Sequence, residues 1–230
     1  ILPMLAKSYE DHKDKINWDN CYVQPKLDGM RCLAKITKYG TQLISRDGKI
    51  IANMDHIIEG LSVINEEIVL DGELYSHGLS FQENMKLIKK YRKGETEKIK
   101  YHVYDMISSE CFEKRYSNVC KIVLNLQNVS LVNTNVIEME EHLKDIHCVN
   151  IRDGFEGSII RHGNKSYGIN KRCDSLLKYK DFQDIDAEII DIEPAEQRPE
   201  QGVPVLKYSN RKLTGKNEFI FRAGMKYSHE

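Results

Sequence analysis

The stretch Lys26-Leu27-Asp28-Gly29-Met30-Arg31 places a lysine, a carboxylate, a glycine and an arginine directly after a predicted strand over residues 21–24. A lysine at a strand end, desolvated and crowded by cations, can act as a neutral amine nucleophile. The glycine allows the backbone to approach a ligand closely. Taken alone, the stretch fits a polar surface turn equally well, because four fixed residue types recur often by chance.

The composition narrows the class of protein. The chain has 230 residues, with 34 Lys and Arg against 35 Asp and Glu, and its net charge is −1. This balance excludes a globally basic nucleic-acid coat protein and an acidic tail protein, although it allows a local basic groove. No apolar run approaches the roughly 18 residues of a membrane span, and the first residues do not resemble a signal peptide. The six scattered cysteines lack zinc-site spacing, so we expect free thiols in a reducing cytosol, in a protein that is not secreted.

The hydrophobic pattern predicts an α+β protein rather than a regular βαβ alternation. Strands are predicted over residues 21–24, 31–37, 41–45, 67–70, 99–107, 158–161 and 176–180. Helices are predicted over residues 55–64, 80–92, 110–126 and 137–149. The second helix opens with a capping box formed by Ser80 and Glu83. A new strand run starts at Asp184, so we expect two domains, 1–183 and 184–230.

Two further stretches place a carboxylate at a glycine turn beside a strand. They are Leu70-Asp71-Gly72-Glu73-Leu74 and Gly154-Phe155-Glu156-Gly157-Ser158. Mg²⁺ takes one or two protein carboxylates together with substrate phosphates, so Glu73 and Glu156 are candidate metal ligands. A glutamate so placed can also accept a hydrogen bond from a ribose hydroxyl. In isolation, each stretch is also explained by a surface β-turn.

Two predicted strands carry further candidate residues, a pair of lysines in one and aromatic residues in the other. In Leu176-Leu177-Lys178-Tyr179-Lys180, alternation sends Lys178 and Lys180 to the same face, where two ammonium groups would hold a phosphate. An edge strand protected by lysines is the alternative. In Tyr101-His102-Val103-Tyr104-Asp105, an aromatic ring could stack on a base or pack as a half-buried core residue.

In their order and spacing, these stretches resemble motifs I, III, IIIa, IV and V of the nucleotidyltransferase family of ATP-dependent DNA ligases and mRNA capping enzymes. The motifs read Lys26-x-Asp28-Gly29-x-Arg31, Asp71-Gly72-Glu73-Leu74, Tyr104-Asp105, Glu156-Gly157 and Lys178-x-Lys180. The resemblance spans about residues 3–193 and is closest to the small ligases of viruses and phages. An arginine closing motif I is typical of DNA ligases.

The resemblance implies a three-step reaction. Lys26 attacks the α-phosphate of ATP and becomes lysyl-AMP, AMP moves to the 5′-phosphate of a nick in duplex DNA, and the 3′-OH then expels AMP. The resemblance also implies roles for the other residues. Tyr104 stacks on adenine, Gln24 reads the adenine edge and Glu73 binds the ribose hydroxyls. Lys178 and Lys180 hold the AMP phosphate, and Glu156 binds Mg²⁺. Arg31 and Arg46 meet the phosphates of ATP and of the nick, and Asp28 acts at the nick. Arg172 lies where small viral ligases carry an arginine, but the surrounding sequence differs from theirs.

The implied fold is a nucleotidyltransferase domain of two antiparallel sheets flanked by helices, followed by a partial all-β OB-fold domain. Phe221-Arg222-Ala223-Gly224-Met225 looks like a later strand of that barrel. No basic motif VI is visible before Glu230, so we expect self-adenylylation of this chain to be weakened and sealing of a pre-adenylylated nick to be less affected.

Two segments could follow the phosphates of DNA. Residues 86–100 hold seven Lys and Arg against two Glu, and residues 207–216 hold four and no acid. A solvated helix face is the alternative for the first segment. The resemblance further implies a monomer that acts on nicked duplex DNA in replication, repair or recombination, in the cytosol of a bacterium or of a virus-infected cell. An RNA ligase, a GTP-using capping enzyme and a catalytically silent nucleic-acid-binding module remain open alternatives. The NAD-dependent ligases are disfavoured because their four-cysteine zinc module is missing.

Overall fold

The computed structural model describes residues 1–181, 187–195, 202–208 and 219–223. The chain divides into two compact units, Ile1–Lys180 and Asp181–Glu230. The strands of the first unit are β1 Leu5–Ser8, β2 Cys21–Lys26, β3 Met30–Thr37, β4 Gly40–Ser45, β5 Ile68–Tyr75, β6 Lys100–Met106, β7 Val129–Leu131, β8 Asn135–Ile137, β9 Gly157–His162 and β10 Arg172–Tyr179. Its α-helices are α1 Asp55–Leu61, α2 Phe81–Lys89, α3 Phe112–Val123 and α4 Glu140–Arg152, with 3₁₀ turns at Lys13–Lys15, Trp18–Asn20 and Thr96–Lys98.

The strands of the first unit form two five-stranded sheets. Sheet A has the order β1-β10-β9-β2-β8, and sheet B has the order β4-β3-β5-β6-β7. Two pairings are parallel, β1 with β10 and β6 with β7, and the other pairings are antiparallel. These antiparallel-rich sheets with few helices confirm the predicted α+β class.

Helices α1, α2 and α3 cover one apolar face of sheet B. Ile57 of α1, Leu87 of α2 and Val119 of α3 are buried in one cluster with Ala34 of β3 and Leu70 of β5. Burial of each large aliphatic side chain contributes about 1.5–3 kcal/mol relative to its exposure. The face of sheet B that carries these residues is therefore fixed, and alternation directs the intervening side chains to the opposite face.

Helix α4 packs on sheet A in a second cluster. Its Leu143 is buried together with Val23 of β2, Ile160 of β9 and Leu177 of β10. The neighbours of these residues in the strands, among them Lys178, point the other way. Packing on α4 therefore fixes which side chains of sheet A face away from the helix.

The structure corrects several predicted boundaries. Ile137, the predicted first residue of a helix, lies in β8, where it pairs with Cys21, and α4 begins at Glu140. Strands β1, β7 and β8 were not predicted, because they are short and are specified by pairing with distant strands rather than by local periodicity. The capping box is confirmed: the Glu83 backbone N–H donates to Ser80 Oγ at 3.3 Å, and the Ser80 N–H donates to Glu83 Oε2 at 2.8 Å.

The second unit contains a three-stranded antiparallel sheet with the order β11-β12-β13. Its strands are β11 Glu188–Pro194, β12 Gly202–Tyr208 and β13 Phe219–Arg222. The predicted strand start at Asp184 and the residues Gly224-Met225 lie outside the described residues. In the described part of the chain, no helix is long and apolar enough to cross a membrane. All six cysteines are free.

Candidate active site

The turn between β2 and β3 connects the two sheets, because β2 belongs to sheet A and β3 to sheet B. Gly29 lies in this turn, and a Cβ atom there would stand 2.3 Å from the carbonyl oxygen of Leu74 in β5. Only glycine allows that close approach. Lys26, the last residue of β2, and Arg31, near the start of β3, consequently line the same cavity.

This cavity has a volume of about 280 Å³ and is lined by residues of both sheets. The predicted site residues that line it are Gln24, Lys26, Arg31, Arg46, Glu73, Tyr104, Lys178 and Lys180. Arg161 and Arg172 line it as well, whereas Asp28 and Glu156 are not among the lining residues. The cavity therefore has seven basic side chains and one acidic side chain in its wall, a balance suited to a polyanionic ligand.

Glu156 lies between two of the lysines. The Nζ atoms of Lys26 and Lys180 each donate to a different carboxylate oxygen of Glu156. The Glu156 backbone N–H donates to the Lys26 carbonyl at 3.0 Å. Burial by itself raises the pKa of Glu156, but the hydrogen bonds from Lys180 and Lys26 outweigh it and lower the pKa below the ordinary value. Glu156 is thus held as a carboxylate beside the proposed nucleophile.

The position of Glu156 depends on the glycine that follows it. Gly157 has φ of 150°, and a Cβ atom there would stand 2.2 Å from the carbonyl oxygen of Tyr179 in β10. The register pairs Gly157 with Lys26 across β2 and β9. Close approach of three strands at this point therefore brings the side chains of β2, β9 and β10 together.

Lys178 and Asp28 flank the Lys26–Glu156–Lys180 group. Burial and the charges of Lys180, Arg172 and Lys26 lower the pKa of Lys178. Within the described ranges, Lys178 makes no ion pair, so its ammonium group is available to a ligand. Burial, followed by the negative charge of Glu156, raises the pKa of Asp28.

Arg31 is oriented by a buried carboxylate. Its Nε and Nη2 atoms donate to the two carboxylate oxygens of Asp71 at 2.7 and 2.5 Å. The Asp71 side chain is fully buried, and the Tyr167 hydroxyl also donates to it, at 2.6 Å. Nη2 further donates to the Met4 carbonyl at 3.1 Å. Asp71 therefore fixes the guanidinium plane, and Nη1 is the Arg31 nitrogen that makes no hydrogen bond to the described residues.

Tyr104 and Glu73, together with Arg31, belong to the part of the cavity wall that sheet B contributes. The Tyr104 hydroxyl donates to the Gly72 carbonyl at 3.1 Å and to Glu73 Oε2 at 3.4 Å. The guanidinium groups of Arg31 and Arg161 lie 5.2 and 5.6 Å from the centre of the Tyr104 ring. Burial raises the pKa of Glu73 to about 7, against the opposing charges of Arg31 and Lys26.

A buried polar network lies behind the cavity, and the sequence motifs did not predict it. Asp105 accepts hydrogen bonds from Arg161 at 2.6 Å and from Arg115 at 2.7 and 3.0 Å. Arg161 Nε also donates to Gln24 Oε1 at 2.9 Å. The sequence signal available was an arginine at the end of an apolar strand, Ser158-Ile159-Ile160-Arg161, which does not by itself distinguish a buried arginine from an exposed one.

Arg46 and Arg172 stand at the edge of the cavity. Arg46 is exposed and makes no ion pair with any residue that the structure describes. Arg172 is also exposed, and its Nη1 donates to the Ala6 carbonyl at 2.9 Å. The lining set therefore includes exposed cations that a bound anion could reach.

Several known proteins are similar to this chain in sequence or in fold. The family model of the ATP dependent DNA ligase domain matches residues 3–180. The DNA ligase of Enterobacteria phage T4 is 25 % identical over 252 residues, covering 85 % of this chain and 52 % of the relative. A DNA ligase of African swine fever virus is 28 % identical over 229 residues, covering 83 % of this chain and 49 % of the relative. The chain therefore belongs to the ATP-dependent DNA ligase family.

A solved structure reported for Lig E DNA ligases shares the fold. Its TM-score is 0.78 at 19 % identity, and the match covers 98 % of this chain and 85 % of that one. The chain spans about half the length of the two viral relatives. These matches establish the family and the fold of the chain.

Proposed function

We propose that this chain seals nicks with a 5′-phosphate and a 3′-OH in duplex DNA, in replication, repair or recombination, through a lysyl-AMP intermediate formed on Lys26. The observation that carries the proposal is the placement of Lys26, from sheet A, in a cation-lined cavity that Tyr104 and Glu73 of sheet B also line. This arrangement offers a nucleophile, charges for phosphates, a ring for a base and a carboxyl group for a ribose.

In the first step, Lys26 Nζ forms a bond to the α-phosphorus of ATP while the bond to the departing pyrophosphate breaks. The amine loses a proton in this step, and Glu156, which already accepts a hydrogen bond from Lys26, is placed to take it. Lys178, Lys180 and Arg31 lie around the same cavity and would neutralise the charge that builds up on the phosphates.

In the second step, an oxygen of the DNA 5′-phosphate attacks the phosphorus of lysyl-AMP, and the nitrogen–phosphorus bond to Lys26 breaks. In the third, the 3′-OH attacks the 5′-phosphorus, a phosphodiester forms and AMP leaves. Exposed Arg46, at the cavity edge, and Asp28, beside Glu156, would act at the nick.

The residues fit a magnesium ion that is held mainly by substrate. The described residues contain no group of three or more His, Cys, Asp and Glu that could hold a metal. Mg²⁺ needs fewer ligands from the protein, because it keeps water molecules and substrate phosphates as ligands. Glu156 offers an ionised carboxylate beside the cavity, whereas Glu73, with its pKa raised to about 7, suits a ribose hydroxyl better. A bound Mg²⁺ would supply charge neutralisation at the phosphates.

The DNA would cross the basic segment 86–100. All seven lysines and arginines of this segment are exposed. Lys98 pairs with Glu95, and both side chains of that pair are themselves largely exposed. The second basic segment, 207–216, lies mostly outside the described residues. We further assign residues 1–183 to the adenylylation domain and residues 184–230, with the sheet β11-β12-β13, to an OB-fold domain.

The test separates the first step from the last. Purified chain is incubated with ATP, Mg²⁺ and a nicked duplex carrying either a 5′-phosphate or a chemically pre-adenylylated 5′ end. Wild type should seal both, whereas Lys26→Ala should fail on the first and still seal the second. Lys144→Ala, an exposed lysine of α4 outside the cavity lining, is the control and should behave as wild type. Sealing of the 5′-phosphate nick by Lys26→Ala would refute the lysyl-AMP route.

The same assay separates the alternatives. Sealing of a nicked RNA duplex in preference to DNA would favour an RNA ligase, and covalent labelling from GTP would favour a capping enzyme. Binding of nicked DNA without sealing of either substrate would favour a silent module. The lysine, carboxylates and cations gathered at one cavity favour an active enzyme over a silent module.

A further inference from the structure

A second cleft adjoins the cavity that holds Lys26, and Pro25 and Leu27 line both. Its volume is about 540 Å³, which is in the range of small-molecule sites. Helix α4 contributes Ile146 and Val149 to the wall, and other parts of the wall come from β5, β6 and the segment that joins β7 to β8. None of the residues that line only this cleft takes part in the proposed reaction.

The charge of the second cleft is opposite to that of the first. Of the described residues that line it, none is a lysine or an arginine, and two are the aspartates Asp145 and Asp153. Asp153 pairs with Arg152 at 3.2 Å, whereas Asp145 makes no ion pair with any residue that the structure describes. A ligand that carries phosphates is therefore disfavoured here, and a neutral or cationic ligand is favoured.

Four aromatic rings lie along the wall and contact one another. The Tyr75 hydroxyl is 2.9 Å from His77 Nδ1, and the ring of Tyr75 meets the ring of His102 edge-on, with 5.6 Å between the ring centres. The ring of Phe155 lies 4.8 Å from that of His77. Burial lowers the pKa of His102 to about 4, with a smaller contribution from the charge of exposed Lys100. The His102 ring is therefore neutral, and the wall offers ring surfaces both to a flat ligand ring and to a cation.

Asn150 of α4 supplies a hydrogen-bond acceptor to the cleft. The residue is 8 % exposed, and its Nδ2 donates to Ser158 Oγ at 2.9 Å. Its Oδ1 accepts no hydrogen bond from the described residues. Every fully enclosed side-chain nitrogen or oxygen of the described residues has a hydrogen-bond partner, so Oδ1 is not enclosed and opens onto the cleft that Asn150 lines. An amide oxygen in this position accepts from an N–H group of a ligand.

We propose that this cleft binds a small, flat aromatic molecule that carries an ammonium group and no phosphate. The ring packs among the aromatic side chains of the wall, and the ammonium group donates to Asn150 Oδ1 and is attracted by Asp145. The two cavities of the chain thereby take ligands of opposite charge. The inference stands apart from the proposed function, because it concerns binding at residues that the ligation steps do not use.

Three probes separate recognition of the ring from recognition of the charge. Tryptamine has a flat ring and an ammonium group, indole-3-propionate has the same ring and a carboxylate, and n-butylamine has the ammonium group without a ring. Each is titrated into the full chain by isothermal titration calorimetry. Tryptamine should bind at least about tenfold more tightly than either of the other probes, because it satisfies both the ring surfaces and the charge. Equal affinities for tryptamine and indole-3-propionate, or no binding of tryptamine, would overturn the inference.

A pair of arginine variants locates the binding at this cleft. Val149 is 42 % exposed and lines the cleft, so Val149→Arg places a bulky cation in it. Ile151→Arg makes a similar change at a residue of α4 that is 37 % exposed and is not among the lining residues. Val149→Arg should weaken tryptamine binding at least about tenfold, and Ile151→Arg should leave it unchanged. Tight binding by Val149→Arg, or an equal loss in Ile151→Arg, would overturn the inference.

Charge reversal provides a second test at exposed positions. Asp145→Lys should lower the ratio of the tryptamine affinity to the indole-3-propionate affinity at least about threefold, because it repels the ammonium group and attracts the carboxylate. Glu141→Lys, at an exposed residue of α4 outside the lining, should retain the ratio of wild type. Thermal unfolding checks that both variants are folded. An unchanged ratio in folded Asp145→Lys would overturn the inference.

Discussion

Replacement of Asp105 by asparagine tests the buried network behind the cavity. The Asp105 carboxylate is fully buried and is shared by Arg115 and Arg161, whose side chains are 2 % and 4 % exposed. Oδ1 accepts from Arg115 and from the Met106 N–H, and Oδ2 accepts from both arginines. Asparagine keeps one acceptor oxygen and sets an NH₂ group against a donor. It also leaves two buried cations without a counter-charge.

Breaking a buried ion pair by removing one partner costs about 3–5 kcal/mol. We therefore expect Asp105→Asn to lose that much free energy of unfolding, which for a domain of this size lowers the Tm by roughly 6–20 °C. Urea and thermal unfolding measure the loss. Asp153→Asn is the matched control: its pair with Arg152 is exposed, so the change should stay within about 0.5 kcal/mol. A loss below about 1 kcal/mol in Asp105→Asn would refute the reasoning.

Variants at three further positions test two residues of the cavity and the turn between β2 and β3. Burial raises the pKa of Glu73 to about 7 from 4.5, so the unfolded chain ionises first as pH rises. As the pH rises from about 4.5 to about 7, wild type should therefore lose up to about 3 kcal/mol of unfolding free energy relative to Glu73→Gln. Urea unfolding measures this difference between the two proteins, and a difference that does not change with pH would contradict the prediction. Tyr104→Ala should raise the KM for ATP in the adenylylation assay by about 5- to 150-fold, because base–aromatic stacking contributes about 1–3 kcal/mol. Tyr104→Phe should keep the stacking and the KM. Equal KM values for wild type and Tyr104→Ala would remove Tyr104 from the base site. Gly29→Ala should destabilise the turn and lose adenylylation, since its Cβ would stand 2.3 Å from the Leu74 carbonyl; wild-type stability would contradict that close approach.

The hydrophobic pattern was sufficient to predict the α+β class. The motifs predicted eight residues that line the cavity, but Arg161 was missed, and Asp28 and Glu156 are not among the lining residues. The motifs around Lys26, Glu156 and Lys180 lie at strand ends, where residue type and backbone geometry are locally coupled. The prediction of a glycine turn at Asp71-Gly72-Glu73-Leu74 was wrong: these residues lie inside β5, because they pair with β3 and β6 on either side. The common face of Lys178 and Lys180 follows from strand alternation, although Lys180 lies one residue beyond the end of β10.

The partners of these residues could not be predicted, because they come from distant parts of the chain. Gln24 is bonded to Thr134 and Arg161, which lie 110 and 137 residues away, and no local pattern marks such a pairing. Arg31 was predicted to meet phosphates, but two of its nitrogens are bonded to Asp71. Strand β8 likewise exists because it pairs with β2, not because of its own three residues.

The central claim is that Lys26 becomes covalently adenylylated, and labelling tests it most directly. Wild type, Lys26→Ala and Lys144→Ala are incubated with Mg²⁺ and either α-labelled ATP or α-labelled GTP, and are then separated on a denaturing gel. We predict label from ATP alone, present on wild type and Lys144→Ala and absent from Lys26→Ala. Label that persists on Lys26→Ala, or a wild-type chain that takes no label from ATP, would contradict the claim.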